Sequence, residues 1–320
     1  MKKRALLWPL FICAALICVS CASVTVEAPA GQPTDALAPA TAVATIEPAT
    51  PTPEIFIALT QAIPREFQPT VMPAPTATQP PTNAGTTVTY RPLTVTIPRG
   101  VANSASGREF PRLDGADAAW WQKTPGHLQV SLADDYVLQG KTHQPAIYVY
   151  PASAYAEMVP AAFESIHRLN NYLYDPNNVP GLDQLPNVPF FNAKMLFAAQ
   201  IGPVSFQNGG GLRFLAQYGQ SAASVNNTDL FYQFIGVTRD GTYYIVAILP
   251  VSSPVLAETP DAGAPLPPRG IPYPAAANPN ANMDAYTIAV SELLNVQLPQ
   301  SFSPGLADLD ALIQSMHVGP

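Results

Sequence analysis

The chain has 320 residues, of which 12% are charged, with a formal net charge of −7 and 37 prolines. That balance excludes the basic stripes that neutralise phosphates in nucleic-acid binding, and it excludes polybasic attachment to anionic lipid heads. The three cysteines, Cys13, Cys18 and Cys21, all lie at the start. The rest of the chain therefore has no disulfide, cysteine zinc site or thiol nucleophile to offer.

Met1-Lys2-Lys3-Arg4 leads into an apolar run from Ala5 to Val19, then small residues and Cys21, which is the order of a secretory signal. The run is roughly 15 residues, short of the ~20 that span a hydrocarbon core, so an uncleaved anchor is disfavoured. Cys18-Val19-Ser20-Cys21 resembles the lipobox of bacterial lipoproteins, in which a small residue precedes the cysteine that is acylated and becomes N-terminal. That pattern usually has Leu where Cys18 stands, and a thiol is compact and fairly apolar. Ordinary cleavage after Ser20 or Ala22 is the alternative. The expectation is a signal peptide over 1–20, lipidation of Cys21, and an extracytoplasmic protein held to the outer face of a membrane by its lipid. Removing Lys2, Lys3 and Arg4 takes the net charge to about −10, so membrane contact is expected through the lipid alone.

Residues 21–87 are rich in Ala, Pro and Thr, as in Ala49-Thr50-Pro51-Thr52-Pro53. Such a composition removes amide donors and has too little apolar surface to offset the entropy of ordering. It predicts a disordered tether of polyproline II character, spanning at most roughly 190 Å at about 3.1 Å per residue. The apolar interruption Glu54-Ile55-Phe56-Ile57-Ala58-Leu59-Thr60 is predicted to be a brief helix or sticky spot without an assigned role.

Residues 88–320 read as a single α+β domain, mostly antiparallel sheet with a mid-domain helix and C-terminal helices. Alternating runs around Pro92 predict edge strands, and further strands are expected over His127–Leu138 and Ala146–Tyr150. Apolar residues at helical spacing with Pro160 in the first turn predict a helix over Pro160–Tyr174. Strands over Met195–Ile201 and Leu212–Tyr218 bracket Gly209-Gly210-Gly211, read as a turn. Phe231–Val237 and Tyr243–Leu249 flank Asp240-Gly241, a pair suited to a type I′ hairpin turn. Amphipathic helices are expected over Met283–Leu294 and Pro304–His317.

The run Gly211–Tyr218, with Asn226-Asn227, Leu230-Phe231-Tyr232, Gly241–Tyr244 and Leu249–Ser252, resembles a family of bacterial envelope lipoproteins with Thr/Pro tethers, common among Chloroflexi-like bacteria. The resemblance extends more loosely from Trp120-Trp121 to the C-terminal helix. It implies an envelope location and one continuous domain, and it transfers no activity or site.

His-Glu-x-x-His, Gly-x-Ser-x-Gly and the phosphate-binding Gly-Lys loop are absent, so no catalytic residue, metal ligand or cofactor is assigned. His127 and His143 could meet on paired strands near Asp134 or Asp135, as a metal or acid/base site, although solvated or hydrogen-bonded roles are the simpler reading. Asp114 and Asp117 read as acids at the start of a short helix. Trp120 and Trp121 read first as core anchors and second as an aromatic platform for a sugar or peptide, to which Tyr148 and Tyr150 would contribute. The function expected is binding of a protein, peptide or glycan partner without catalysis. An accessory subunit of an envelope complex is the alternative, and a hydrolase with a site scattered over His127, His143, Asp134 and Asp135 the third.

Overall fold

The computed structural model describes residues 85–175, 177–178, 180–188, 191–261, 263–274 and 282–319. The expected signal, Cys21, the run at 54–60 and the tether as far as residue 84 lie outside the described residues, and the last expected tether residues, Thr86 and Thr87, are instead paired in a strand, so the domain starts before residue 88. From Gly85 onward the domain is α+β, with ten strands and four helices among the described residues.

β1 (Thr86–Tyr90) and β2 (Leu93–Ile97) alternate Thr with larger residues and pair antiparallel, Thr86 opposite Ile97. The period of two sends Leu93, Val95 and Ile97 inward, each 1% exposed. It leaves Thr94 and Thr96 outward, hydrogen-bonded to Thr89 and Thr87 at 3.1 and 2.9 Å. β10 (His317–Val318) pairs with the other side of β2 and closes a three-stranded sheet.

The main sheet has seven antiparallel strands: β3 (Ser106–Phe110), β4 (His127–Ser131), β5 (Ala146–Pro151), β6 (Lys194–Phe206), β7 (Gly209–Gly219), β8 (Phe231–Thr238) and β9 (Tyr243–Pro250). Their order is β3-β4-β5-β9-β8-β7-β6. Its central strands are covered on both faces, so β8 is buried at every position rather than alternating. On one face α1 (Ala152–Met158) and α2 (Pro160–Tyr174) pack over Leu212, Phe214, Phe231 and Tyr244. On the other, α3 (Met283–Asn295), α4 (Leu306–Gln314) and the small sheet cover Phe197, Leu215, Phe234 and Leu249. The small sheet is fastened at β3, where the Tyr90 ring lies over Gly107 and its hydroxyl donates to the Ala105 carbonyl at 2.7 Å.

α2 has the bounds its periodicity predicts, with Pro160 in the first turn. α1 is unforeseen: it starts directly after Pro151 and buries Ala152 and Tyr155 within one short element. The strand expected over 127–138 ends at Ser131, whose Oγ accepts the Ala133 amide at 3.2 Å and starts a turn. The last helix is shorter than expected because the chain leaves it at Ser315 to form β10.

The glycine run is a strand and not a turn. Gln207-Asn208 makes the reversal, while Gly209, Gly210 and Gly211 pair with Phe206, Ser205 and Val204. A Cβ at Gly209 would lie 2.1 Å from the Phe206 ring, and one at Gly236 would lie 2.5 Å from the Phe234 ring. These glycines are seats for phenyl groups. The β8–β9 hairpin turns at the expected residues but in another geometry: Gly241 has φ +70° and Asp240 does not share it. The Gly241 amide donates to the Thr238 carbonyl at 2.8 Å, and Asp240 accepts from Thr238 Oγ1 at 2.6 Å and the Thr242 amide at 3.0 Å. Those bonds, the Thr238 hydroxyl first, hold the Asp240 carboxyl below its usual range.

At a bulge in edge strand β6, Gln200 takes φ +54°. Its side-chain amide donates to the carbonyls of Leu294, Gln297 and Asn295 at 2.9, 3.1 and 3.2 Å, satisfying the open end of α3. α4 is tied down by Tyr232, whose hydroxyl donates to Asp310 at 2.9 Å.

Candidate functional site

The β3–β4 connection is a long hairpin arm, braced by the Leu113 and Thr124 amides bonding each other's carbonyls at 2.9 and 3.0 Å. Near its tip, Trp120–Gln122 forms one turn of 3-10 helix. The two indoles meet edge to face with centroids 5.8 Å apart. Trp120 is 54% exposed and Trp121 half-buried, so the pair does not anchor the core. Asp114 does not cap this turn either; it pairs with Arg112 at 2.6 Å, and the turn has no acid in it.

Both tryptophans line a cleft of about 940 Å³, the size of an organic ligand site. Its other walls come from three separate stretches of chain. α2 supplies Arg168; the strap after α2 supplies Leu182, Asp183, Leu185, Asn187, Phe191 and Asn192; and the β6–β7 end of the sheet supplies Lys194, Met195, Tyr218 and Gln220. The strap is fixed from beneath. Ser165 Oγ accepts the Asn187 amide at 3.1 Å, and Arg168 Nη1 donates to the Asp183 carbonyl at 2.9 Å. Buried Gln233 donates to the Val188 carbonyl at 3.4 Å and accepts from the Tyr218 hydroxyl at 3.2 Å. Burial drives the Tyr218 phenol well above its ordinary range, against the Gln233 hydrogen bond, so Tyr218 stays a neutral donor.

Phe191 packs on Tyr218 at 4.6 Å and on His143 at 5.0 Å, and His143 packs on Phe231 at 4.4 Å. Burial lowers the His143 pKa, with Asp229 opposing it, so at neutral pH the ring is an uncharged aromatic wall behind the cleft. A second depression of about 290 Å³, shaped by Asn171, Asp175, Asn178 and Gln184, adjoins the cleft at Arg168, which lines both.

Tyr148 and Tyr150 project from β5 elsewhere. Tyr150 is 2% exposed, stacked at 6.1 Å on Tyr148 and packed at 4.8 Å on Tyr155. Neither lines the cleft, so the four aromatic candidates divide into a Trp pair in the cleft and a Tyr pair within the domain. His127 continues that second group, 4.6 Å from Tyr150 and stacked at 5.5 Å on Phe110. Burial lowers its pKa, opposed by its bond to the Pro125 carbonyl.

His127 and His143 do not meet. His127 starts β4 beside the end of β5, whereas His143 precedes the start of β5, a separation on the order of 20 Å by strand rise. Asp134 and Asp135 follow the far end of β4, and Ser104 donates to Asp135. Among the described residues no three His, Cys, Asp or Glu side chains gather as a metal site.

Asn226 and Asn227 are buried and form a brace. Asn226 Oδ1 accepts the Thr228 and Asp229 amides at 2.9 and 3.1 Å, and its Nδ2 donates to Asp229 at 2.8 Å. Lys141 Nζ donates to the Asn227 carbonyl at 2.9 Å and to Ser252 Oγ at 2.8 Å. A Ser–Lys contact is the start of a nucleophilic site, which also needs amides aimed at a developing oxyanion. Here the Ser252 amide bonds Ser303, and the Ser253 amide bonds Asn227. The contact is a clamp on the chain after β9.

Sequence reasoning singled out Trp120 and Trp121 but missed Arg168, Asn187, Asn192, Lys194 and Tyr218. The one local signal was a loop after α2 carrying Asn among its prolines and closed by Lys194, unusual for a stretch that must bury Leu185 and Val188. Compared with protein-family models, with curated proteins and with solved structures, the chain matches none.

Proposed function

We propose that this is an extracytoplasmic lipoprotein, anchored through Cys21, whose folded domain binds a glycan in the tryptophan cleft without breaking it. The observation that carries the binding reading is exposed Trp120 and half-buried Trp121 set beside the side-chain amides of Asn187, Asn192 and Gln220 in one cleft. Indole faces take the apolar C–H faces of sugar rings, and side-chain amides take their hydroxyls. Glycosidic hydrolysis uses two carboxyl groups about 5–10 Å apart. Asp183 is the one carboxylate among the described residues of the tryptophan cleft, with Asp175 in the adjoining depression; a single carboxyl beside the tryptophans favours holding the chain there over cleaving it.

Binding is measured by calorimetry of the full chain against a panel of neutral and acidic oligosaccharides. Trp120→Ala and Trp121→Ala should each weaken affinity roughly thirtyfold, about 2 kcal/mol for an aromatic anchor, with the melting temperature unchanged. Wild-type affinity surviving both substitutions would sink the reading. The anchor has its own measurement: in cells fed labelled fatty acid, wild type should take up label and Cys21→Ala should not. Equal label in both removes the lipid.

A further inference from the structure

We infer that the glycan is acidic: the cleft recognises a hexuronate chain, with carboxylates meeting Arg168 and Lys194. This rests on the saccharide reading above and narrows it.

The chain carries fewer cations than anions, 15 Lys and Arg against 22 Asp and Glu, yet two cations line one cleft beside one carboxylate. Neither is in an ion pair with another described residue. Among the described residues the ion pairs are Arg112–Asp114 and Arg213–Asp310, and Arg168 is held by a main-chain carbonyl rather than by the Asp183 carboxylate. That bond orients a half-buried guanidinium without consuming its charge, and a planar guanidinium matches a carboxylate with two parallel bonds. Lys194, exposed at the start of β6, lines the same cleft and offers a point charge there. Arg168 also lines the adjoining depression, so a carboxylate held there sits where the two spaces meet, as in a chain passing through both. Asp183 and, in the second space, Asp175 oppose the anion; they bias the site toward spaced charges rather than a dense polyanion.

The test uses the full chain and hexasaccharides of galacturonate, glucuronate and mannuronate, each beside its methyl ester, which keeps the sugar and removes the charge. At low salt at least one acid should bind about tenfold or more tighter than its ester, and 0.5 M NaCl should shrink that preference. Arg168→Gln and Lys194→Gln should each bring acid and ester toward parity, Arg168→Lys should keep only part of the preference, having the charge without the two parallel bonds, and Asp183→Asn should enlarge it. Because Arg168 also supports the strap, melting temperatures are recorded, and Lys194→Gln, whose side chain makes no hydrogen bond or ion pair with another described residue, stands as the independent variant. Equal binding of acid and ester by wild type, or a preference untouched by both Gln variants, overturns the inference while leaving the saccharide reading intact. No binding to any member of the neutral or acidic panel overturns the saccharide reading itself. Tighter binding of oligoglutamate than of every uronate shows a peptide site and overturns both.

Discussion

Replacing Asn227 by Leu should lower the unfolding free energy by roughly 3–5 kcal/mol, a large fraction of the 5–15 kcal/mol typical of a domain. Its side chain is 1% exposed and nearly the size of Leu, so the change leaves shape intact and removes only polar partners. Nδ2 donates to Ser253 O at 3.1 Å and to Glu258 at 3.0 Å, and Oδ1 accepts the Ser253 amide at 2.8 Å. With Leu there, the buried Ser253 amide is left without a partner, at about 1–3 kcal/mol, while its carbonyl keeps only the bond from the Leu256 amide and Glu258 loses a donor, at about 1 kcal/mol each. Urea unfolding followed by circular dichroism measures the loss, and a drop below about 1 kcal/mol would show that water replaces the amide without cost. Asn187→Leu is the control, since its side chain is exposed.

An even smaller change should do comparable damage at Gly211. A Cβ there would lie 2.2 Å from the Ile235 carbonyl oxygen and 2.7 Å from the Gly236 Cα, and both are backbone atoms of the paired strand β8. No rotamer relieves that contact. The β7–β8 ladder must spread at its buried centre, so Gly211→Ala should cost about 3 kcal/mol or more. Gly202→Ala, on neighbouring β6, meets nothing within 4 Å and should be neutral to within about 0.5 kcal/mol. Thermal unfolding of the two variants side by side decides it, and similar melting temperatures would mean that the sheet yields more easily than its packing implies.

The legible parts of this fold were those whose cause is local. α2 announced itself through Ile166, Leu169 and Leu173 at helical spacing behind Pro160, and the β8–β9 hairpin through apolar runs on either side of Asp240-Gly241. Illegible parts depended on partners distant in the chain. The purpose of Gly211 is visible only once β8 lies beside it, and β10 is a strand only because Leu93 and Thr94 offer an edge. The cleft is the extreme case, since Trp121, Arg168, Asn187 and Tyr218 come from four elements and no spacing links them. The Trp pair was visible, but exposure is settled by tertiary packing, which spacing does not encode.

The small sheet bears on how the domain withstands a mechanical load arriving from the N-terminal side. A pull at Gly85 meets first the Thr86–Ile97 pair, at the end of the β1–β2 ladder farthest from its turn. In that geometry bonds rupture one by one, as in a zipper, instead of sharing the force as in shear. Thr86 through Thr89 are exposed or half-exposed, so peeling them uncovers little of the core. Rupture then reaches Tyr90, whose ring is wedged over Gly107 and whose hydroxyl is bonded to Ala105. β2 remains paired with β10 behind that stop. The first strand is thus the part of the small sheet that such a pull separates with least loss of buried surface, with the Tyr90 contact as its stop.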